Sequence, residues 1–296
     1  MLHTLPDSPA TRRTLHDAAA ELGDLDGLDT KAALRCTTNA QLSLLIAGVA
    51  SARALTEDHG LLPGFVAGHS SGAFAAAVTA GVLSLTEAMA AVRLRGELMQ
   101  LACANGQWGM AALIGLPLAA ARALTEHIST EADPLWIANI NASDQIVLGG
   151  TTVALRRAEP AAREAGARRI ERLDVTIASH GPLQHDTANR LAEELAQVPR
   201  RPQQVPYLTN TRGRCVYADT NTVLDDLAQA VARTVRWYDA TRLMSELGTT
   251  CAVQVPPGHV LIRLLAAAAP QVHTISLADA NIDRTAAYAR QHGGAT

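Results

Sequence analysis

The pentapeptide Gly68–Gly72, Gly-His-Ser-Ser-Gly, lies between two segments of different periodicity. A short apolar run, Phe65–Ala67, precedes it, and an alanine-rich helical pattern follows it as far as Gly81. A serine flanked by glycines at a strand-to-helix turn is typical of the nucleophile elbow of an α/β sheet. There the helix dipole and the N–H of Ser71 can stabilise an oxyanion. We predict that Ser70 is a nucleophile; the alternative is an ordinary turn with a capping serine.

Helix and strand patterns alternate on both sides of this turn. Apolar residues at intervals of three and four predict a helix over Asn39–Glu57, capped by Thr38 or Asn39. Ser84–Glu87 has the spacing of a capping box and opens a helix that reaches Cys103. Further along, the pattern predicts helices over 186–196, 224–233, 238–247 and 260–268, and strands over 205–209 and 251–255. This alternation predicts an α/β fold with a mostly parallel sheet.

The middle of the chain has a different pattern. Strands are predicted over 109–116, 135–139, 145–148 and 169–175, with helices over 118–128 and 152–165. The order βαββαβ is that of a ferredoxin-like unit. We therefore predict a large hydrolase-like domain of residues 1–103 and 177–296, with a ferredoxin-like subdomain of residues 104–176 inserted into it.

Composition excludes several classes of function. The 296 residues are 48% apolar but only 3% aromatic, so the core must consist mainly of aliphatic side chains. The 25 basic and 28 acidic residues give a net charge of −3, which argues against nucleic acid or an anionic membrane as the partner. The four cysteines lack the C-x-x-C spacing of a zinc site or redox pair, and we expect no metal. Neither a signal peptide nor a membrane-spanning apolar run is present, so we expect a cytoplasmic protein.

Two further residues are candidates for chemistry. His180, in Ala178-Ser179-His180-Gly181-Pro182, follows the last strand of the middle region and could be the base that a serine nucleophile needs. A capping or solvated histidine is the alternative, and spacing identifies no acidic residue to orient it. Arg95 has only apolar neighbours on its face of the predicted helix. Its guanidinium must either extend to the surface or bind an anion, preferably a carboxylate.

These motifs together resemble the malonyl-CoA:acyl-carrier-protein transacylase family. The resemblance extends over essentially the whole chain. It rests on segments 68–72, 80–84, 92–100, 138–141 with 145–147, 179–180, 209–210, 235–237 and 257–261.

The resemblance implies a role for each candidate. Ser70 would be acylated by malonyl-CoA, His180 would be the general base, and Arg95 would bind the free malonyl carboxylate. The family orients its histidine by a backbone carbonyl, which here would lie near Gln229 or Ala230. The candidate residues for binding substrate or CoA are Met99, Asn139, Asn141, Gln145, Arg168, Arg169 and Asn210. No permanently bound cofactor is implied; the acceptor would be a carrier protein with a phosphopantetheine-type group.

Segments 138–142 and 255–258 are most similar to the malonate decarboxylase epsilon subunit, which transfers malonyl to the carrier subunit of that enzyme. The family also begins with a strand and a Gly-Gln-Gly-x-Gln loop, whose glutamine contributes to the oxyanion hole. This sequence starts about where that loop ends, so we expect either an upstream start codon or a weakened enzyme, since losing one donor costs about 10²–10³ in rate. The alternatives are a malonyl transacylase of fatty-acid synthesis, a serine esterase, and a non-catalytic subunit that docks the carrier.

Overall fold

The computed structural model describes residues 1–294. The part before residue 104 is mostly helical, with one short strand leading into the predicted elbow. Its helices and strand are α1 (Pro9–Leu22), α2 (Leu25–Leu28), α3 (Thr37–Arg53), β1 (Val66–Ala67), α4 (Gly72–Thr79) and α5 (Leu85–Ala102). Helix α3 starts two residues before the predicted start, with Cys36 at its N-cap, and continues as a π turn over Ala54–Asp58. The capping box of α5 is formed as predicted, between Ser84 and Glu87.

The middle of the chain forms an antiparallel sheet with two helices. The elements are β2 (Trp108–Ile114), α6 (Leu118–Ile128), β3 (Leu135–Ala142), β4 (Gln145–Thr151), α7 (Thr152–Glu164) and β5 (Arg169–Arg172). This is the predicted βαββαβ order, and the strands lie in the order β3-β4-β2-β5. Leu113, Ile146, Leu148 and Leu155 are in a buried apolar cluster within this segment. This separate core supports the prediction of an inserted subdomain, and the exact domain boundaries stay a prediction.

The last part of the chain returns to alternating helices and strands. Its elements are α8 (His185–Ala196), β6 (Tyr207–Leu208), β7 (Cys215–Val216), α9 (Thr220–Gln229), α10 (Trp237–Glu246), β8 (Cys251–Gln254), α11 (Val260–Ala268), β9 (His273–Ser276) and α12 (Ile282–His292). Strand β6 pairs in parallel with β1 and antiparallel with β7, while β8 and β9 are parallel. The predicted α/β class is confirmed. Parallel pairing of β1 with β6 brings the residues after both strands to the same edge of the sheet.

Several predicted boundaries differ from the structure by a few residues, and two of them affect the surroundings of His180. Strand β5 ends at Arg172 rather than at 175, because its pairing with β2 stops at Ala111. His180 therefore follows an irregular segment rather than a strand. Helix α9 ends at Gln229 instead of continuing to 233. The last carbonyls of a helix have no partner within it, so this earlier end leaves the carbonyl of Ala230 available to another group.

Small residues let the helices around the elbow approach closely. A Cβ atom on Gly48 of α3 would lie 2.8 Å from the Cβ of Ala75 on α4. A Cβ on Gly96 of α5 would lie 2.6 Å from the Cα of Thr38 on α3. Close contact between α3 and α5 places the residues after Thr38 against those beside Gly96. Within residues 1–294 no helix has both the length and the apolar character needed to cross a membrane.

Candidate active site

Strand β1 and helix α4 meet at the predicted nucleophile elbow. Ser70 lies in the turn between them with φ of +53°, a left-handed conformation that is uncommon for any residue other than glycine. The turn is tight, because a Cβ on Gly68 would lie 2.1 Å from the carbonyl oxygen of Gly72. A side chain at residue 68 would therefore open the turn. The local sequence explains the geometry, since glycine is the residue that allows strand and helix to approach this closely.

The structure brings His180 to Ser70. The Nε2 atom of His180 lies 2.9 Å from Ser70 Oγ, and its Nδ1 lies 2.6 Å from the carbonyl oxygen of Ala230. The backbone N–H of His180 donates to the carbonyl of Val231 at 2.6 Å. With Nδ1 donating to a carbonyl, Nε2 is the nitrogen with a free lone pair, ready to accept the serine proton. The orienting group is thus one of the two carbonyls that the resemblance indicated.

The environment of His180 favours its neutral form. The side chain is buried, and this burial, together with the positive charge of Arg95, lowers the pKa of His180 to about 3. The hydrogen bond to Ala230 opposes the shift but does not cancel it. His180 is therefore unprotonated at neutral pH, which is the state that a general base requires.

Arg95 is the third group at Ser70. Its side chain is only 2% exposed, and burial lowers the pKa of the guanidinium to about 10. Its Nη2 donates to Ser70 Oγ at 3.0 Å, and its Nη1 donates to the Oε1 of Gln41. Among residues 1–294 no carboxylate lies within 4 Å of the Arg95 guanidinium. This buried cation is available to bind an anion directly beside Ser70.

Asn210 holds the elbow on its other side. It follows β6, and its side chain lies between the two ends of the turn. The Nδ2 of Asn210 donates to the carbonyl of Gly68 at 2.8 Å, and its Oδ1 accepts from the N–H of Ser70 at 2.9 Å. The N–H of Ser71, in contrast, donates no hydrogen bond within the described part of the chain. It is free to donate to a ligand, and its predicted role as an oxyanion donor stays a prediction.

Comparison with known proteins places this geometry in a family. The model of the acyl transferase domain matches residues 12–285. The chain belongs to the acyl transferase domain family.

Individual relatives agree with that assignment. The malonyl CoA-acyl carrier protein transacylase of Salmonella typhimurium is 34% identical over 260 residues, which is 86% of this chain and 84% of that protein. The enzyme of the same name from Bacillus subtilis is 32% identical over 246 residues, covering 83% of this chain and 77% of that protein. Among solved structures, the acyl-carrier-protein S-malonyltransferase of Burkholderia pseudomallei matches with a TM-score of 0.89 and 31% identity. That match covers 95% of this chain and 92% of the other.

In this acyl transferase the remaining candidates fall into two groups. Asn141 lies near the elbow, with its Oδ1 3.0 Å from the Nε2 of His69. The neighbouring Asn139 is buried on β3, and its side-chain nitrogen has no partner among the described residues. Gln145 is half-buried at the start of β4, after the turn that follows β3. Met99 is buried one turn after Arg95 on α5, where its Sδ accepts from the Nε2 of Gln41 at 3.5 Å.

Arg168 and Arg169 form the second group. Both are exposed, and each is paired with an acid of its own sheet. Arg168 lies 2.7 Å from Asp144 and Arg169 lies 2.5 Å from Glu171. The structure does not bring either of them into contact with Ser70, so their assignment to CoA stays a prediction.

Sequence reasoning missed two side chains of this acyl transferase's site. Gln41 is buried on α3 and orients Arg95, and Asp226 is buried on α9 and binds the segment around Asn210. Gln41 lies between Ala40 and Leu42, and Asp226 lies between Asp225 and Leu227 in a helical pattern that is otherwise largely apolar. A polar residue within an apolar helical pattern was the signal that could have identified both.

Proposed function

We propose that this acyl transferase moves a malonyl group from malonyl-CoA to the thiol of a carrier protein. The observation that carries the proposal is the buried Arg95 guanidinium, which lacks an acidic partner in residues 1–294 and lies 3.0 Å from Ser70 Oγ. A malonyl group ends in a carboxylate, the anion that a guanidinium binds most specifically. Binding that carboxylate at Arg95 would hold the thioester carbon near the nucleophile.

In the first half-reaction His180 Nε2 accepts the proton of Ser70 while Oγ attacks the thioester carbonyl. The Oγ–C bond forms, the negative charge moves to the carbonyl oxygen, and the N–H of Ser71 donates to it. The tetrahedral species then breaks its C–S bond. The CoA thiolate leaves with the proton from protonated His180, so that malonyl-Ser70 and neutral His180 remain.

The second half-reaction repeats these steps with a carrier. The pantetheine-type thiol of the carrier gives its proton to His180 and attacks the malonyl ester. Ser70 regains the proton as the new thioester forms. No water takes part, so net transfer needs the acyl-serine to persist until the carrier arrives.

The charge of Arg95 couples substrate binding to the strength of the base. In the free site that charge helps to keep the pKa of His180 low. A malonyl carboxylate beside Arg95 would offset the charge and raise the basicity of His180. The base would therefore become stronger when the substrate that needs it is bound.

We further propose that the acceptor is the carrier subunit of a malonate decarboxylase. The support is the similarity of segments 138–142 and 255–258 to the epsilon subunit of that enzyme. The second candidate acceptor is a carrier of fatty-acid or polyketide synthesis. It is favoured by the structural match, with a TM-score of 0.88 and 29% identity, to a malonyl-transacylase in complex with a type II PKS acyl-carrier protein. That match covers 94% of this chain and 91% of the other.

Intact-mass measurement after mixing with malonyl-CoA tests the transfer. We expect a single malonyl adduct on the wild-type chain and none on Ser70→Ala. Each type of carrier, added in its pantetheinylated form, should take the malonyl group from Ser70. The preferred carrier should become malonylated at the higher rate. Carrier binding without any adduct would instead support a docking subunit, and rapid hydrolysis of p-nitrophenyl esters without preference for malonyl-CoA would support an esterase.

A further inference from the structure

Helix α9 carries a buried acid that the transfer steps above do not use. The side chain of Asp226 is 2% exposed, and within residues 1–294 no basic side chain lies within 4 Å of it. Its oxygens instead accept four hydrogen bonds. The donors are Tyr207 OH at 3.0 Å, Asn210 N–H at 2.8 Å, Thr211 N–H at 2.8 Å and the Thr211 hydroxyl at 2.6 Å. A carboxylate with this many donors is firmly fixed.

All four donors belong to one short segment, residues 207–211. That segment starts in β6, the parallel neighbour of β1, and therefore runs alongside the elbow. Asp226 fixes the backbone of Asn210, and the Asn210 side chain then binds both Gly68 and Ser70. The chain of contacts thus runs from Asp226 through Asn210 to the nucleophile. Because Ser70 has a positive φ, its conformation depends on such external support.

The same helical turn also binds the base. The Ala230 N–H donates to the backbone carbonyl of Asp226 at 2.9 Å, and the Ala230 carbonyl accepts from His180 Nδ1. Val231, one residue later, accepts from the backbone N–H of His180. The end of α9 therefore holds His180 through main-chain carbonyls and Ser70 through the Asp226 side chain.

We propose that Asp226 is a positioning residue that sets the separation of Ser70 Oγ and His180 Nε2 through Asn210. This inference rests on the proposed malonyl transfer, because acylation of Ser70 is the step that it controls. Asn210 accordingly acts on the elbow, and its assignment to substrate or CoA stays a prediction. Arg95 lies on α5 and forms no hydrogen bond or ion pair with Asp226; it meets this contact chain only at Ser70 Oγ, and Gln41 on α3 orients its guanidinium from outside the chain.

Asp226→Asn tests the proposal with little change in shape. Each carboxylate oxygen of Asp226 accepts from one backbone N–H and one hydroxyl. A hydroxyl can reverse and accept, but a backbone N–H cannot, so an amide nitrogen in either place would face one donor that has lost its acceptor. We expect the saturating rate of single-turnover acylation by malonyl-CoA to fall by about 10²-fold, as for other small misplacements of reacting groups. The malonyl-CoA concentration that gives half the maximal rate should not change. Labelling of Ser70 by a fluorophosphonate, which needs no carboxylate, should slow to a similar extent.

Tyr207→Phe is the matched control. It removes the hydrogen bond from Tyr207 to Asp226 Oδ2, the oxygen that also accepts from the N–H of Asn210, and it leaves the Asn210 contacts in place. We expect lower stability to urea with wild-type acylation and labelling rates. The proposal is overturned when Asp226→Asn reacts at the wild-type rate, or when both variants slow acylation in proportion to their loss of stability.

A third variant covers failure of Asp226→Asn to fold. Asn210→Asp keeps the acceptor for Ser70 N–H but loses the donor to Gly68, and it should also slow fluorophosphonate labelling. A wild-type labelling rate in that variant overturns the proposal. The two proposals can fail separately. If Ser70 of the wild-type chain reacts with the fluorophosphonate but not with malonyl-CoA, the proposed malonyl transfer is wrong. The labelling rates of the variants then still test whether Asp226 positions Ser70.

Discussion

Asp226 and Arg95 are equally buried, each with 2% of its surface exposed, but the two charged groups differ in their hydrogen-bond partners. Asp226 receives four hydrogen bonds from residues 207–211, whereas Arg95 has, within residues 1–294, only the side chains of Gln41 and Ser70 as hydrogen-bond partners. A buried charge without a counter-charge is costly, and a chain retains it only for a reason. Asp226 is satisfied by its own fold and therefore fixes structure. Arg95 is left open and therefore fits a site that an anion completes.

The difference extends to the neighbours of each group. The donors to Asp226 form a closed network that ends at Asn210 and the elbow. Gln41, in contrast, orients Arg95 without neutralising it, because an amide oxygen carries no net charge. A glutamate at that position would satisfy Arg95 permanently and compete with the substrate carboxylate. The neutral partner keeps Arg95 in place and leaves its charge available.

The largest expected effect comes from removing the positive charge of Arg95. Arg95→Ala should lower kcat/KM for malonyl-CoA by about 10²–10⁴-fold, because deleting one partner of a buried charge pair costs about 3–5 kcal/mol. Acetyl-CoA carries no carboxylate and should lose much less. Steady-state transfer from both donors to the same carrier measures the ratio. Equal losses with the two donors would contradict the role of Arg95 as the carboxylate ligand.

A stability comparison of the two buried charges should give the next largest effect. Without substrate, Arg95→Met should leave the free energy of unfolding unchanged or raise it by about 1–3 kcal/mol, since an uncompensated charge is replaced by an apolar chain of similar length. Asp226→Asn should lower it by about 2–3 kcal/mol, since donors lose a charged acceptor. Urea unfolding of both variants measures the difference. Comparable losses in the two variants would show that Arg95 is satisfied by its own fold.

The sequence was sufficient to predict the fold class and the three side chains that the structure brings together at the elbow. Glycines around Ser70, an arginine within an apolar helical face, and the family resemblance together identified Ser70, Arg95 and His180. The glycine turn and the apolar helical face are local signals, each contained in a short stretch of chain, whereas the resemblance extends over essentially the whole chain. The βαββαβ order was equally accessible, because it depends on the alternation of patterns along the chain.

The supporting network could not be predicted in the same way. Asp226 contacts Asn210 because α9 lies against the segment that follows β6, and no local pattern specifies that packing. The end of α9 was also predicted four residues too late, because its apolar pattern continues into residues whose carbonyls bind His180. The spacing of Arg168 and Arg169 did not reveal their pairing with Asp144 and Glu171, which depends on the turn after β3 and on the conformation of β5.

The smallest expected effect is the change of folding stability with pH that is due to His180, whose pKa depends in part on the charge of Arg95. Burial and the charge of Arg95 lower its pKa to about 3 in the folded chain, whereas an unfolded histidine titrates near 6.5. Above pH 6.5 the residue is neutral in both states. As the pH falls below 6.5, only the unfolded chain takes up this proton, so folding stability decreases until the folded pKa is reached.

Between pH 7 and pH 5 the wild-type chain should therefore lose about 2 kcal/mol more than His180→Gln, since each pH unit below 6.5 is worth about 1.4 kcal/mol. Burial also lowers the pKa of His69, but that contribution is present in both chains and cancels in the difference. Urea unfolding at both pH values measures the difference. Equal losses of stability in the two chains would mean that His180 takes up its proton in the folded state over the same pH range as in the unfolded state. In Arg95→Met the pKa of His180 should rise, because one charge that disfavours protonated His180 is removed, while burial, the larger cause, remains.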